Sequence, residues 1–223
     1  MPGTFVWGPL LTNTTWTAAA SPYLMVGNVT VPVGMTLTLN AGVTVKALGS
    51  FSLTTQGTLL ATGTSSQPIA FVSGKATPAP GDWTGLSFTG TGGGTLIQVL
   101  IQQAQYGLQL SGTGTITLQN STVSQMLYYD LYLSSVATGG LTVTGSRLDG
   151  PTYGSTATVY LYQTNPTAIS ITTSQLLAGS SGQIVNTTYY TGTYGGQTAN
   201  FTNNWWGTAD PVAIQQTIYD YAD

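Results

Sequence analysis

One four-residue pattern recurs along the chain: an apolar residue, a hydroxyl, a second apolar residue and a polar one. It stands at Phe51-Ser52-Leu53-Thr54, Leu86-Ser87-Phe88-Thr89, Ile116-Thr117-Leu118-Gln119, Leu141-Thr142-Val143-Thr144 and Ile169-Ser170-Ile171-Thr172, and Ala199-Asn200-Phe201-Thr202 continues it. From Leu86 onward the repeats begin 30, 25, 28 and 30 residues apart. Alternation sends every second side chain to one side of a strand, so each copy reads as a strand with one buried face. A unit this short cannot bury that face alone and has to stack on its neighbours.

A second register runs with the first. Asn120-Ser121, Gly145-Ser146, Thr173-Ser174 and Asn203-Asn204 each follow the same strand. A polar side chain recurring at one turn of a stacked coil can hydrogen-bond to the next rung. Near the start, Val29-Thr30-Val31, Thr36-Leu37-Thr38-Leu39 and Val43-Thr44-Val45 place three short strands in 17 residues, separated by Pro32, Gly34, Asn40 and Gly42. Rungs are countable from Val29, Phe51, Leu86, Ile116, Leu141, Ile169 and Ala199. The pattern predicts an all-β chain, a single parallel β-helix of about seven rungs. At about 4.8 Å per rung the stack is roughly 30–35 Å long. Ser73 to Gly81, with Pro78 and Pro80, reads as a loop inserted on one edge.

Longer motifs add a resemblance. Ser21-Pro22-Tyr23, Val29-Thr30-Val31-Pro32-Val33-Gly34, Gly42-Val43-Thr44-Val45-Lys46, Gly57-Thr58-Leu59 and Gly81-Asp82-Trp83 resemble bacterial right-handed parallel β-helix repeat proteins of the pectate-lyase-like solenoid superfamily. Asn204-Trp205-Trp206-Gly207-Thr208, Asp210-Pro211 and Ile218-Tyr219-Asp220 carry the likeness to the end, so that it covers about 16–223. It implies a right-handed coil. Such modules occur in many surface proteins and in polysaccharide-degrading enzymes. Positions often acidic in such proteins are neutral here, as at Asn40.

The expected organisation is an N-terminal strand, cap or connector over 1–20, the β-helix over 21–209 and a capping helix over 210–223. Asp210 suits a helix N-cap with Pro211 at the first position, and Val212, Ile214 and Ile218 are expected to cover the last rung. Thr4-Phe5-Val6-Trp7 is strand-like and stops at Gly8-Pro9. It either folds back over the first rung or adds to the edge of another subunit. Thr4, Phe5, Val6, Trp7, Leu10 and Leu11 are therefore the candidate self-association residues.

Composition narrows the chemistry. Charged residues make up 4% of the chain, against about 25% ordinarily. Lys46, Lys75 and Arg147 are the only cations, too few to neutralise a run of phosphates, so no nucleic-acid partner is expected. No apolar run approaches the length of a membrane span. Cys and His are absent, which removes disulfides, thiol chemistry and the usual zinc ligands, and no cofactor or metal is expected. Met1-Pro2-Gly3 leads into the first strand without a signal-peptide pattern, which fits a mature secreted form. Asn13, Asn28, Asn120, Asn186 and Asn200 open glycosylation sequons.

Catalysis needs acids, bases or metal ligands in groups. Arg147 and Asp149 lie two apart on one strand and read as a surface ion pair; Asp82 belongs to a turn, and Asp130 lies about one rung before Asp149 on another part of the coil. The aromatic pattern says more. Leu131-Tyr132-Leu133 and Val159-Tyr160-Leu161-Tyr162 sit 28 residues apart, with Tyr132, Tyr160 and Tyr162 pointing outward. With Tyr189 they form a candidate ligand face, which Tyr128, Tyr129, Tyr190 and Tyr194 extend; such a face suits sugar stacking or a protein interface. Trp205 and Trp206 read as core and cap packing. Thr30, Ser52, Ser87, Thr117, Thr142 and Ser170, flanked by Thr54, Thr89, Thr144 and Thr172, read as a hydroxyl ladder.

The expected function is a non-enzymatic extracellular or cell-surface structural protein that self-associates end to end, as a homo-oligomer or polymer, into a filament or surface layer. The alternatives are carbohydrate binding or cleavage on the tyrosine face, and ice binding on the hydroxyl ladder.

Overall fold

In the computed structural model, described over residues 3–134, 139–153, 156–165, 168–187 and 198–219, the chain is a parallel β-solenoid of about seven turns with one short helix near the C-terminus. The first three strands are β1 (Thr4–Pro9), β2 (Thr14–Trp16) and β3 (Tyr23–Val31).

Each turn contributes to three faces. The hydroxyl face is a seven-stranded sheet that runs from β2 through Thr36–Leu39, Thr58–Thr62, Gly93–Ile97, Thr115–Gln119 and Gly140–Thr144 to Ile169–Thr172. A turn, tight from the Gln98 rung onward, leads to the groove face, made of Thr44–Ala47, Ile69–Ser73, Val99–Gln102, Thr122–Ser124, Arg147–Leu148 and Gln175–Leu176. The tyrosine face follows, with Ser52–Thr55, Gly85–Gly90, Tyr106–Gly112, Tyr129–Ser134, Val159–Tyr162, Val185–Asn186 and Ile218–Tyr219. β3 joins the last two faces without a corner: Tyr23–Met25 pairs with Val45–Ala47, and Val29–Val31 with Leu53–Thr55.

Strict alternation makes the core. On the tyrosine face Val29, Leu53, Leu86, Leu108, Leu131, Val159 and Val185 stack in register, and all are buried. Comparable inward rows on the other faces complete one continuous hydrophobic cluster.

The turn between the hydroxyl and groove faces explains the second register. Asn120, Gly145, Thr173 and Asn203 all have positive φ, between 50° and 60°. This left-handed conformation reverses the chain in one residue and favours Asn and Gly. The next residue forms a ladder. The Val99 amide donates to Ser121 Oγ (3.0 Å), Ser121 N to Ser146 Oγ (3.1 Å), Ser146 N to Ser174 Oγ (3.1 Å) and Ser174 N to Asn204 Oδ1 (2.9 Å). Each hydroxyl also donates to the carbonyl two residues before it. A buried corner thereby keeps its polar groups satisfied.

The repeat register read from the sequence needs one correction. Leu86 pairs with Leu53, not with Phe51, and the first two copies of the pattern lie on the tyrosine face while the later ones lie on the hydroxyl face. Apolar–hydroxyl–apolar alternation is the same physical solution on either face, so the pattern alone cannot say which.

The inserted loop is tied at its base. Asp82, buried, takes the Lys75 ammonium on Oδ1 (2.7 Å) and the Ser73 hydroxyl (2.6 Å) and Ala79 amide (2.9 Å) on Oδ2. Burial opposes its charge, but the hydrogen bonds from Lys75, Ser73 and Ala79 prevail and hold Asp82 below the ordinary carboxylate range.

β1 lies along the whole of β3, from Thr4 opposite Tyr23 to Pro9 opposite Thr30. It is a strand of the same sheet as β3, and residues 10–13 lead from it to β2 on the hydroxyl face. At the other pole, the helix Pro211–Gln215 is capped by Asp210, whose carboxylate accepts the Val212 amide at 3.0 Å. The helix covers less than expected. None of its residues is buried, Val212 is 62% exposed, and it is Ile218 that packs on the core, opposite Val185. Five residues are too few to carry an apolar stripe.

Candidate functional site

Three surfaces are built by the coil. The first is the tyrosine face. Tyr132 and Tyr160 occupy adjacent rungs in register, and their rings stack 5.6 Å apart at 9°. Tyr129 joins both, at 5.4 Å from Tyr132 and 4.9 Å from Tyr160. Tyr106 lies one rung earlier, opposite Tyr129, with ring centroids 5.7 Å from Tyr132 and 5.5 Å from Tyr128, and Tyr128 meets Tyr153 at 5.6 Å. Six rings thus form one patch over three rungs. Most are half-buried because they cover one another, and Tyr153 at the margin is exposed. Burial first, then the neighbouring Tyr128 and Tyr132 phenols, push the Tyr106 hydroxyl above the ordinary phenol range.

Of the four tyrosines expected on a ligand face, Tyr132 and Tyr160 form the centre. Tyr162 stands beside them, half-buried opposite Ser134. Tyr189 lies outside the described residues, with Tyr190 and Tyr194. Sequence reading missed Tyr106; its spacing to Tyr129, one rung, was the available signal.

The second surface is a groove along the turn of positive-φ residues, with a volume of about 490 Å³. Thr122, Arg147, Gln175 and Trp205 form its outward row in rung-to-rung register. Arg147 donates from Nε to Asp149 (2.5 Å) and from Nη1 to Gln175 Oε1 (3.0 Å). Trp205 corrects the reading of both tryptophans as packing: its side chain is 47% exposed, whereas Trp206 packs on the core beside Phe201. The two are adjacent in a bridge-paired segment, so alternation turns one in and the other out.

The described acids lie apart from one another except Asp130 and Asp149, which are close in the coil. Asp130 is fully buried, and its Oδ2 accepts the Gly150 amide at 2.9 Å; its Oδ1 has no hydrogen-bond partner. Burial, with a smaller contribution from the Asp149 charge, pushes its carboxyl well above the ordinary range. Among the described residues, no three acidic groups gather as metal ligands. No helix among them is long and apolar enough to cross a membrane.

The hydroxyl ladder is two rows. Thr30, Thr54 and Ser87 align on the tyrosine face, whereas Thr117, Thr142 and Ser170 align on the hydroxyl face, where Leu60 interrupts the row between Thr38 and Thr95. The sequon asparagines are mostly structural acceptors or donors: Asn13 Oδ1 accepts the Thr36 amide, Asn28 Oδ1 the Ser52 amide, and Asn200 Nδ2 donates to Ser170. Asn186 Nδ2 donates to Gln183, and Asn120 stands at the tight turn.

The third surface is the N-terminal edge. Among the described residues β1 pairs on one side only, with β3. Val6 and Leu10 pack on the core, while Phe5, Trp7 and Leu11 are 59%, 67% and 85% exposed. Thr4 is anchored by its amide to Pro22 O and by its hydroxyl to Ala20 O.

Comparison with known families bears on the coil itself. Residues 8–121, more than half the chain, match the family described as pectate-lyase like beta helix domain. The chain belongs to the pectate-lyase-like β-helix family. The match begins inside β1 and ends in the serine ladder, at Ser121. The rungs beyond it continue the same register. No curated protein and no solved structure matches the chain significantly.

Proposed function

We propose that this β-helix is a non-enzymatic extracellular structural module whose subunits add end to end through the outer edge of β1. The observation that carries this reading is that edge: a six-residue strand with no partner on its outer side among the described residues, exposed Phe5 and Trp7, and no charged residue anywhere before Lys46. Open edges of soluble sheets are ordinarily protected by charge, bulges or cover, because free N–H and C=O groups template another strand. The opposite pole ends the tyrosine-face sheet on Ile218–Tyr219. A second copy placed there by its β1 would continue the same parallel sheet, and a head-to-tail contact of this kind propagates into a filament. The commitments of Asp82, Asp149, Asp130 and Asp210 to structural partners fit a role without catalysis.

Sedimentation velocity over a concentration series, with electron microscopy, tests this. End-to-end particles are expected to grow with concentration, and Trp7→Lys is expected to return them to monomers without altering the β-sheet circular dichroism. Persistent monomers at high concentration overturn the reading.

The six-ring patch favours a second reading, carbohydrate binding on the tyrosine face. A glycan array bound by the native chain and lost in Tyr132→Ala and Tyr160→Ala is its expected result; a blank array removes it.

A further inference from the structure

We infer that the tyrosine face is an oxidative cross-linking site, at which Tyr160 forms a covalent tyrosine–tyrosine bond with a ring of the preceding rung, Tyr129 or Tyr132, the oxidant being a peroxide acting with a haem peroxidase. The inference is independent of end-to-end assembly and of carbohydrate binding. Its starting point is the placement of the rings themselves. Tyr132 and Tyr160 are register partners whose rings stack 5.6 Å apart at 9°. Tyr129, on the diagonal, lies 4.9 Å from Tyr160 at 32°. Tyr106 extends the stack by one rung, 5.9 Å from Tyr129 at 18°. Rungs repeat at about 4.8 Å, so the coil itself sets these separations between residues distant in the chain.

The chemistry needs two phenols in contact. Each gives up one electron and one proton, and the unpaired electron spreads to the ring carbons beside the one that bears oxygen. Two such radicals join through those carbons. The hydrogen on each joined carbon then moves to oxygen, which restores both phenols. In sum two tyrosines lose two electrons and two protons, and one hydrogen peroxide takes them up to give two waters. A partner held in place reacts at a far higher effective concentration than one that must diffuse. Tyr129, Tyr132 and Tyr160 are half-buried, not sealed, so electrons can pass to an oxidant at the surface and protons to water.

The surroundings favour this outcome over others. The chain has no cysteine to reduce a tyrosyl radical, and among the described residues no tryptophan ring contacts the patch. Tyr23 is buried against Trp16, and Tyr219, exposed on the last strand, belongs to no ring cluster among the described residues. A bond at Tyr160 joins the strand Tyr129–Ser134 to the strand Val159–Tyr162. It closes a loop of chain and restricts the unfolded state as a disulfide does, in a chain without cysteine to form one.

The test treats the full chain, in dilute solution, with hydrogen peroxide and a haem peroxidase. Dityrosine fluorescence reports the bond, denaturing electrophoresis separates links within a chain from links between chains, and peptide mass spectrometry locates them. The expected product is a single chain in which Tyr160 is linked to Tyr129 or Tyr132. Tyr160→Phe keeps the ring and is expected to cut the yield within single chains at least fivefold with unchanged circular dichroism, whereas Tyr219→Phe leaves it unchanged. Unfolding the native chain in urea before oxidation is expected to cut it as Tyr160→Phe does. Absence of dityrosine, links only between chains, or a yield that neither Tyr160→Phe nor urea lowers overturns the inference.

Discussion

The two poles of this solenoid solve the same problem differently. A stacked coil must end somewhere, and its last rung leaves both apolar side chains and backbone groups exposed. At the N-terminal pole the inward side chains are covered, while Phe5, Trp7 and Leu11 stay exposed beside the outer backbone of β1. Trp16 and Tyr23 stack at 4.6 Å inside the first turns, Tyr23 Oη accepts the Thr17 amide, and Val6 and Leu10 pack on the same core, yet the outer edge of β1 has no partner among the described residues. At the C-terminal pole polar side chains satisfy the backbone groups. Asn204 terminates the serine ladder and Asp210 caps the helix, while Val212 and Trp205 stay exposed. The proposed head-to-tail contact therefore joins unlike surfaces, the outer edge of β1 and the last described strand Ile218–Tyr219, and the amide seal lies away from that strand, at Asn204. This difference in kind gives the proposed assembly its direction.

The largest expected effect tests whether the N-terminal pole rests on packing. Trp16→Ala removes a 4% exposed indole and its stacking on Tyr23 and should cost about 3–5 kcal/mol in urea unfolding. Ile218→Ala at the other pole removes a half-buried side chain and should cost about 1 kcal/mol, near half the value of full burial. Equal losses would show that both poles depend on apolar cover, and the contrast would fail.

How legible these features were in the sequence follows from their range. The alternation of Leu131-Tyr132-Leu133 is local, and so the strand and its outward Tyr132 were readable; the recurrence of Asn120-Ser121, Gly145-Ser146 and Thr173-Ser174 was readable as a ladder because every member uses the same turn chemistry. The pairing of Leu53 with Leu86 was not. The loop tied by Lys75 and Asp82 lies between them, and two faces with identical alternation offer no local mark of which strand follows which. The groove was hidden for the same reason. Arg147, Gln175 and Trp205 are brought together only by stacking, and the outward turn of Trp205 is decided by its neighbours Asn204 and Trp206 rather than by its own character.

A smaller effect probes the polar seal of the C-terminal pole. Asn204→Ala strips the Ser174 amide of its acceptor and frees the carbonyls of Ile171 and Phe201; leaving such groups partly buried should cost about 1–3 kcal/mol. Asn204→Ser discriminates between two accounts of this loss. Serine is what the preceding rungs use at this position, so its hydroxyl restores an acceptor for Ser174, but it lacks the amide that reaches Ile171 and Phe201 together. If the ladder matters most, Asn204→Ser recovers most of the stability and the slow hydrogen exchange of the Ser174 amide. If closure of the 201–204 turn matters most, Asn204→Ser behaves like Asn204→Ala. The structure favours a division. Ser174 exchange should recover while global stability returns only in part, because a terminal rung has no successor to satisfy its carbonyls and the asparagine amide does so in its place.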